Sequence, residues 1–166
     1  MTSKVAIVIV NYNGWKDTVE CLHSLEDITY KNFEVFIVDN ASTDQSCEKL
    51  RKEIGKVSIR ATLIEETENK GFSAGNNIGI QYALEKQFDY FLMLNNDTLV
   101  KKDFLDELLN SFKLENVGAV IGQIYYASDR QKIWYAGGSL NKKSMKPSHF
   151  RYNQTEIMHE IGRAHV

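Results

Sequence analysis

A carboxylate at the end of an apolar run can be presented rigidly to a ligand, and this chain carries one in Asn95-Asn96-Asp97-Thr98, directly after Tyr90-Phe91-Leu92-Met93-Leu94. The run is too short to span a membrane and is closed by turn-forming residues, so it reads as a buried strand of a parallel sheet. Ligands of open α/β sheets lie beyond the carboxyl ends of the strands. Asn95, Asn96 and Asp97 would therefore reach a crevice in which Asp97 could hold a divalent cation. The competing reading is a plain turn, because Asn and Asp bond their own backbone and tolerate left-handed conformations. Three other strand ends carry polar groups of the same kind: Asn11-Tyr12-Asn13-Gly14, Asp39-Asn40-Ala41-Ser42 and Asn69-Lys70-Gly71. For Asp39 alone, turn chemistry and ligand binding stand level.

The elements that must position these groups are readable from periodicity. Val5 to Val10 and Phe33 to Val38 are continuous apolar, β-branched runs that predict strands buried on both faces, with Ala61 to Ile64 a shorter third. Trp15, Val19, Leu22 and Leu25 recur at helical spacing, with Asp17 and Glu20 near the start where the helix dipole favours acids. Ser42-Thr43-Asp44-Gln45 has capping-box spacing and predicts a helix through about Lys52. Gly71, Gly75 and Gly79 would line one helix face and allow close packing, yet Asn69-Lys70-Gly71 reads as a loop, so the helix is expected from Gly75 through Leu84. Lys70 and the amides at that helix entrance could cradle a phosphate, although the spacing is neither the P-loop nor G-x-G-x-x-G. Asp103 to Phe112 predicts a cover helix, and Val117 to Tyr126 and Ile133 to Ala136 predict strands. Asn141 to Tyr152, basic and built around Pro147, is expected to be a mobile loop.

Composition limits the function classes. With 166 residues, 43% hydrophobic and 25% charged, the chain suits one α/β domain with a real core. A net charge of -2 supplies no basic field for a dedicated nucleic-acid binder. Cys21 and Cys47 have no C-x-x-C or His-pair neighbours and read as free thiols of a reducing compartment. The apolar stretch after Lys4 is too short for a signal peptide or a membrane helix, which makes the cytoplasm the expected compartment. Ile161-Gly162-Arg163-Ala164-His165-Val166 resembles a translated sequencing adapter and is expected to be a non-native tail.

Four segments in this order resemble the family 2 glycosyltransferases: Val8 to Asn13, Val38 to Ser42, Asn69 to Asn77 and Leu94 to Thr98. Ala136-Gly137-Gly138 is similar to the rhamnosyltransferase-like branch. The resemblance implies a three-layer α/β/α GT-A (Rossmann-like) fold with a mostly parallel central sheet, and inverting transfer from a nucleoside-diphosphate sugar. It implies that Val10, Asn11, Tyr12, Asn13, Asp39 and Asn40 border the nucleotide, with Asp39 accepting the N3–H of uracil or thymine. Asn69, Lys70, Gly71, Gly75 and Asn76 would line nucleotide and sugar. Asn95, Asn96 and Asp97 take the place of the family's Asp-x-Asp motif, with Asp97 the metal ligand for Mn²⁺ or Mg²⁺ bridging the phosphates. Asn95 in place of the first acid lowers the negative charge and tilts the donor toward dTDP-rhamnose, with UDP-sugars open. Residues 1–140 would form the donor-binding domain, 141–160 the start of an acceptor-side region and 161–166 the tail. The implied partners are the nucleotide-sugar and a saccharide or lipid-linked acceptor in cell-surface polysaccharide and cell-wall synthesis, with peripheral membrane association of the full-length protein. The family's general base lies downstream of every segment present, so no catalytic residue is assigned and this chain alone is expected to be a poor transferase. A nucleotidyltransferase or a non-catalytic binding domain are the alternatives; the former usually carries a Gly-rich basic loop after its first strand, where this chain has Asn11-Tyr12-Asn13-Gly14.

Overall fold

The apolar runs become parallel strands in the computed structural model, which describes residues 2–141 and 143–155. β1 (Val5–Asn11) pairs with β2 (Phe33–Asp39) on one side and β4 (Tyr90–Asn95) on the other, and β3 (Ala61–Glu65) extends the sheet beyond β2. β1 and β2 are covered on both faces, which is why they show no polar alternation. Contrary to expectation, β4 is an edge strand among the described residues, half-buried and with Met93 60% exposed.

Successive strand residues point to opposite faces. Val8, Val10 and Val38 face α3 (Phe72–Leu84), whose Gly75 and Gly79 leave no room for a side chain: a Cβ on Gly75 would stand 2.9 Å from Val10 Cγ1, and one on Gly79 would collide with Val8 Cγ1. The close-packing reading of the glycine repeat therefore holds for these two. Ile7, Ile9, Asn11, Ile37 and Asp39 point to the other face, where α1 (Trp15–Glu26) and α2 (Ser46–Ile54) pack with Cys21, Leu22, Leu25 and Leu50 buried. At the end of α1, Glu26 accepts from Ser58 N at 2.7 Å, and that main-chain bond, aided by His23, holds its carboxyl down to about 2.

Two helix starts differ from the sequence expectation. α2 begins at Ser46 and Gln45 makes no capping bond, because Ser42 is committed to Asp39 and Asp44 Oδ1 instead takes the Ser46 N–H at 2.9 Å. α3 begins at Phe72 rather than Gly75, since Gly71 at φ +82 turns the chain straight into the helix.

Two compact units are present, dividing between Leu105 and Asp106, so that α4 (Phe104–Ser111) carries the boundary; the expected domain boundary near 140 falls inside a strand of the second unit. In that unit only β5 (Ile124–Tyr126) of the predicted Val117 to Tyr126 strand forms, antiparallel to a longer β6 (Asp129–Tyr135). Asn141 to Tyr152 is no open loop: β7 (Gly138–Asn141) and β8 (Lys146–His149) form a hairpin, and Pro147 is tolerated because β8 has a ladder on one side only. Residues 156–166, including the expected tail, lie outside the described residues. No helix among the described residues is long and apolar enough to cross a membrane.

Candidate functional site

From β1 the chain lays down β2 and β3 on one side and then crosses to place β4 on the other. Loops leaving β1 and β4 therefore diverge, and such a switch point is where an open α/β sheet has a crevice. A cleft of about 550 Å³ lies there. Val10 and Tyr12 line it from the end of β1, Asn40 from β2, Asn69, Gly71 and Phe72 from the approach to α3, and Asn95, Asn96 and Asp97 from β4. A second cavity, about 470 Å³, sits at the amino ends of β1 and β2. Its central acid is already paired, with Lys4 at 3.0 Å and Arg60 at 3.5 Å from Glu34 Oε1, so it offers little unspent charge to a ligand.

The wall around Asn40 is braced from within. Asn40 Nδ2 donates to Asn69 Oδ1 at 2.8 Å, the Lys70 N–H donates to Asn40 Oδ1 at 3.1 Å, and Asn69 Oδ1 also accepts the Gly71 N–H at 2.9 Å. These bonds hold the β2 tip to the loop that opens α3. Gly71 offers no side-chain cap and the first turn of α3 carries no acid, so the helix presents bare amides and the positive end of its dipole beside the cleft. Two aromatics stand in solvent on the cleft wall, Tyr12 at 49% and Phe72 at 60% exposure.

Under the cleft runs a chain of polar groups that begins at the half-buried Asn96 and ends at the fully buried Asp39. Asn96 Nδ2 lies 3.2 Å from Thr18 Oγ1, Thr18 donates to Asn11 Oδ1 at 2.9 Å, and Asn11 Nδ2 donates to Asp39 Oδ2 at 2.6 Å. Asp39 further accepts from Ser42 Oγ at 2.7 Å and Ser42 N at 2.9 Å. Burial and the neighbouring Asp39 carboxylate push the Cys47 thiol up to about 12, and burial with the nearby Asp97 charge does the same to Cys21.

Residues 6–165 match the profile of Glycosyl transferase family 2. The chain belongs to that family. The glycosyltransferase GlyG of Streptococcus pneumoniae serotype 4 is 30% identical over 139 residues, covering 81% of this chain and 44% of its own length. The fold is shared with a mannosyltransferase of Pyrobaculum calidifontis solved with GDP-Man and Mn²⁺, at TM-score 0.63 and 24% identity over 78% of this chain and 37% of that one. It is shared as well with S. aureus TarS 1-349 in complex with UDP, at TM-score 0.57 and 20% identity over 76% of this chain and 43% of that one. The α/β fold with its mostly parallel sheet, expected from the sequence, is the GT-A fold of these neighbours, and the chain spans less than half the length of each relative named.

In this family 2 chain several residues named from sequence stand away from the cleft. Asp39 is fully buried and does not line it. In register with Asn11, it points to the α1–α2 face, and its carboxylate accepts from Asn11 Nδ2, Ser42 Oγ and Ser42 N. Asn13, at φ 53, clamps the β2–α2 loop by accepting the Thr43 N–H at 2.8 Å. Lys70 is paired with Glu66 at 2.6 Å, outside the cleft wall. Gly75 packs on Val10, and Asn76 is 5% exposed with Nδ2 on Phe72 O at 3.0 Å. Sequence reasoning missed Phe72 and Thr18; a bulky apolar residue between a loop glycine and a polar helix start was the available signal for Phe72, and none existed for Thr18.

The donor set decides what kind of cation fits. Asp97 is the one acid on the cleft wall, and among the described residues no three His, Cys, Asp or Glu side chains gather as a metal cage. One exposed carboxylate beside the carboxamides of Asn95 and Asn96 suits a hard divalent cation that brings its own phosphate and water ligands.

Proposed function

We propose that the cleft binds a nucleoside-diphosphate sugar and that the whole protein transfers the sugar, with inversion, to a saccharide or lipid-linked acceptor in cell-surface polysaccharide synthesis. What carries the reading is the placement of Asp97, in a family 2 chain, at the carboxyl tip of β4 on the switch-point cleft that the uncapped start of α3 also lines. A pyrimidine base then lies against Tyr12 and Asn69, whose aromatic face and exposed carboxamide can stack on it and bond its edge, with Asn40 bracing Asn69. The diphosphate lies between the α3 amides and Asp97, so that a positive dipole end meets its charge. A Mn²⁺ or Mg²⁺ held by Asp97 and the phosphates would neutralise charge on the departing diphosphate. Asn95 and Gly71 border the sugar, and the neutral Asn95 supports a dTDP-rhamnose-like donor within the rhamnosyltransferase-like branch, with UDP-sugars as the alternative. The base that takes the acceptor's proton is assigned to none of the described residues. The reading places the protein in the cytoplasm, at the inner membrane face where a lipid-linked acceptor would present its sugar.

Calorimetric titration of UDP and dTDP, in EDTA and in Mn²⁺, tests this. Parent affinity should rise about tenfold or more with the cation, equivalent to roughly 1.4 kcal/mol, and Asp97→Ala should lose that rise. Equal, cation-independent binding by both, or none by a folded parent, would instead mark a binding module.

A further inference from the structure

We propose that Thr18 and Asn11 are positioning residues that fix which end of the Asn96 carboxamide enters the cleft, presenting Asn96 Oδ1 beside Asp97 as a second hard oxygen for the cation. The inference rests on the donor-site reading above.

The direction of each bond is imposed from the buried end. Ser42 N is an obligatory donor to Asp39 Oδ1, and the Asp39 carboxylate accepts, so Asn11 turns its NH₂ toward Asp39 and leaves Oδ1 facing Thr18. An amide oxygen only accepts, hence the Thr18 hydroxyl donates to it. Gly14 O, 3.1 Å from Thr18 Oγ1, is the other place that proton could go, and it too is an acceptor. In either case the proton points away from Asn96. Asn96 thus meets two acceptors, Thr18 Oγ1 at 3.2 Å and Gly14 O at 3.5 Å, and only its nitrogen can face them.

The opposite branch of the carboxamide is its oxygen. Asn96 is half-buried on the cleft wall and no donor among the described residues takes Oδ1. Gly14 makes the approach possible, since a Cβ there would stand 2.9 Å from Asn96 Nδ2. Reversing the amide would set its oxygen against two acceptors and aim NH₂ at a cation, so the relay raises the cation affinity of a site with a single carboxylate. The buried Asp39 serves the cation end of the cleft through three side chains.

Thr18 is fully buried and off the cleft wall, which makes it the position to probe. Thr18→Val keeps the volume and removes the hydroxyl; Thr18→Ser keeps the hydroxyl. The ratio of UDP affinity in Mn²⁺ to that in EDTA should fall about fivefold to tenfold in Thr18→Val, the size of one lost hydrogen bond, and return to the parental ratio in Thr18→Ser. A folded Thr18→Val with the parental ratio, or equal losses in both variants, overturns the proposal. A folded parent that binds no nucleotide, or binds it with no cation effect, overturns the donor-site reading, and the Asn96 assignment with it. Should Thr18→Val not fold, the parent decides by NMR of the Asn96 side chain on adding Mg²⁺ with UDP. A moving ¹³Cγ with an undisturbed Nδ2 group is expected; a displaced Nδ2 group or a silent ¹³Cγ overturns the proposal.

Discussion

Asp39→Ala melts about 20 °C below the parent. The Asp39 side chain is fully buried, and its removal takes the carboxylate acceptor from three donors, Asn11 Nδ2, Ser42 Oγ and the Ser42 N–H, leaving Asn11 Nδ2 only Ser42 Oγ at 3.2 Å. Each stranded donor costs about 1–3 kcal/mol and part is recovered by relaxation, so about 4 kcal/mol is lost in all. In a compact unit the size of Met1–Leu105 each kcal/mol moves the melting midpoint by roughly 4–8 °C. Asp39→Asn recovers only part, because whichever way its amide turns, its NH₂ faces a donor, Asn11 Nδ2 on one side or the Ser42 N–H on the other. A residue whose business was the base edge would behave oppositely, losing nucleotide binding with its melting point intact. Thermal melts read beside UDP titrations separate the two.

Gly79→Ala comes next, and its sign is the informative part. In an exposed helix interior that change stabilises by about 1 kcal/mol, since alanine is the better helix former. Here the new methyl would collide with Val8 Cγ1 and stand 3.2 Å from Val38 Cγ2, both on fully buried strand residues held by neighbours on either side. Overpacking of this kind costs about 1–3 kcal/mol beyond the propensity gain, so a net loss near 2 kcal/mol and a drop of about 10 °C are expected. Gly55→Ala, where the nearest atom to a new Cβ is Lys52 O at 3.6 Å, serves as the control and leaves the melt within a few degrees. An unchanged or raised midpoint for Gly79→Ala would mean α3 does not sit on β1 as described.

Much of this was legible because β1, β2 and β4 announce themselves as apolar runs with polar tips, and the tips converge as the parallel-sheet rule requires. The face of each residue was not. A strand buried on both sides carries no alternation to fix parity, so nothing in Phe33 to Val38 told that Asp39 would turn inward and leave Asn40 on the cleft. The Ser42 spacing signalled a helix cap, but a buried carboxylate three residues earlier competes for the same hydroxyl and wins. The hairpin of β7 and β8 was invisible for the opposite reason: the residues of β8 are all exposed, so no hydrophobic period marks the strand. Thr18 could not be found at all, since its meaning arises only when α1 is laid against the ends of β1 and β4.

Paramagnetic broadening by Mn²⁺ supplied with UDP locates the ligand directly. The amide signals of Asn96, Asp97 and Phe72, on the wall of the cleft at the strands' carboxyl ends, should broaden, while those of Asn32, Glu34 and Arg60, at the amino-end cavity, should stay sharp. Broadening centred on the amino-end group, or spread evenly over both, would contradict a donor site at the β1–β4 switch point.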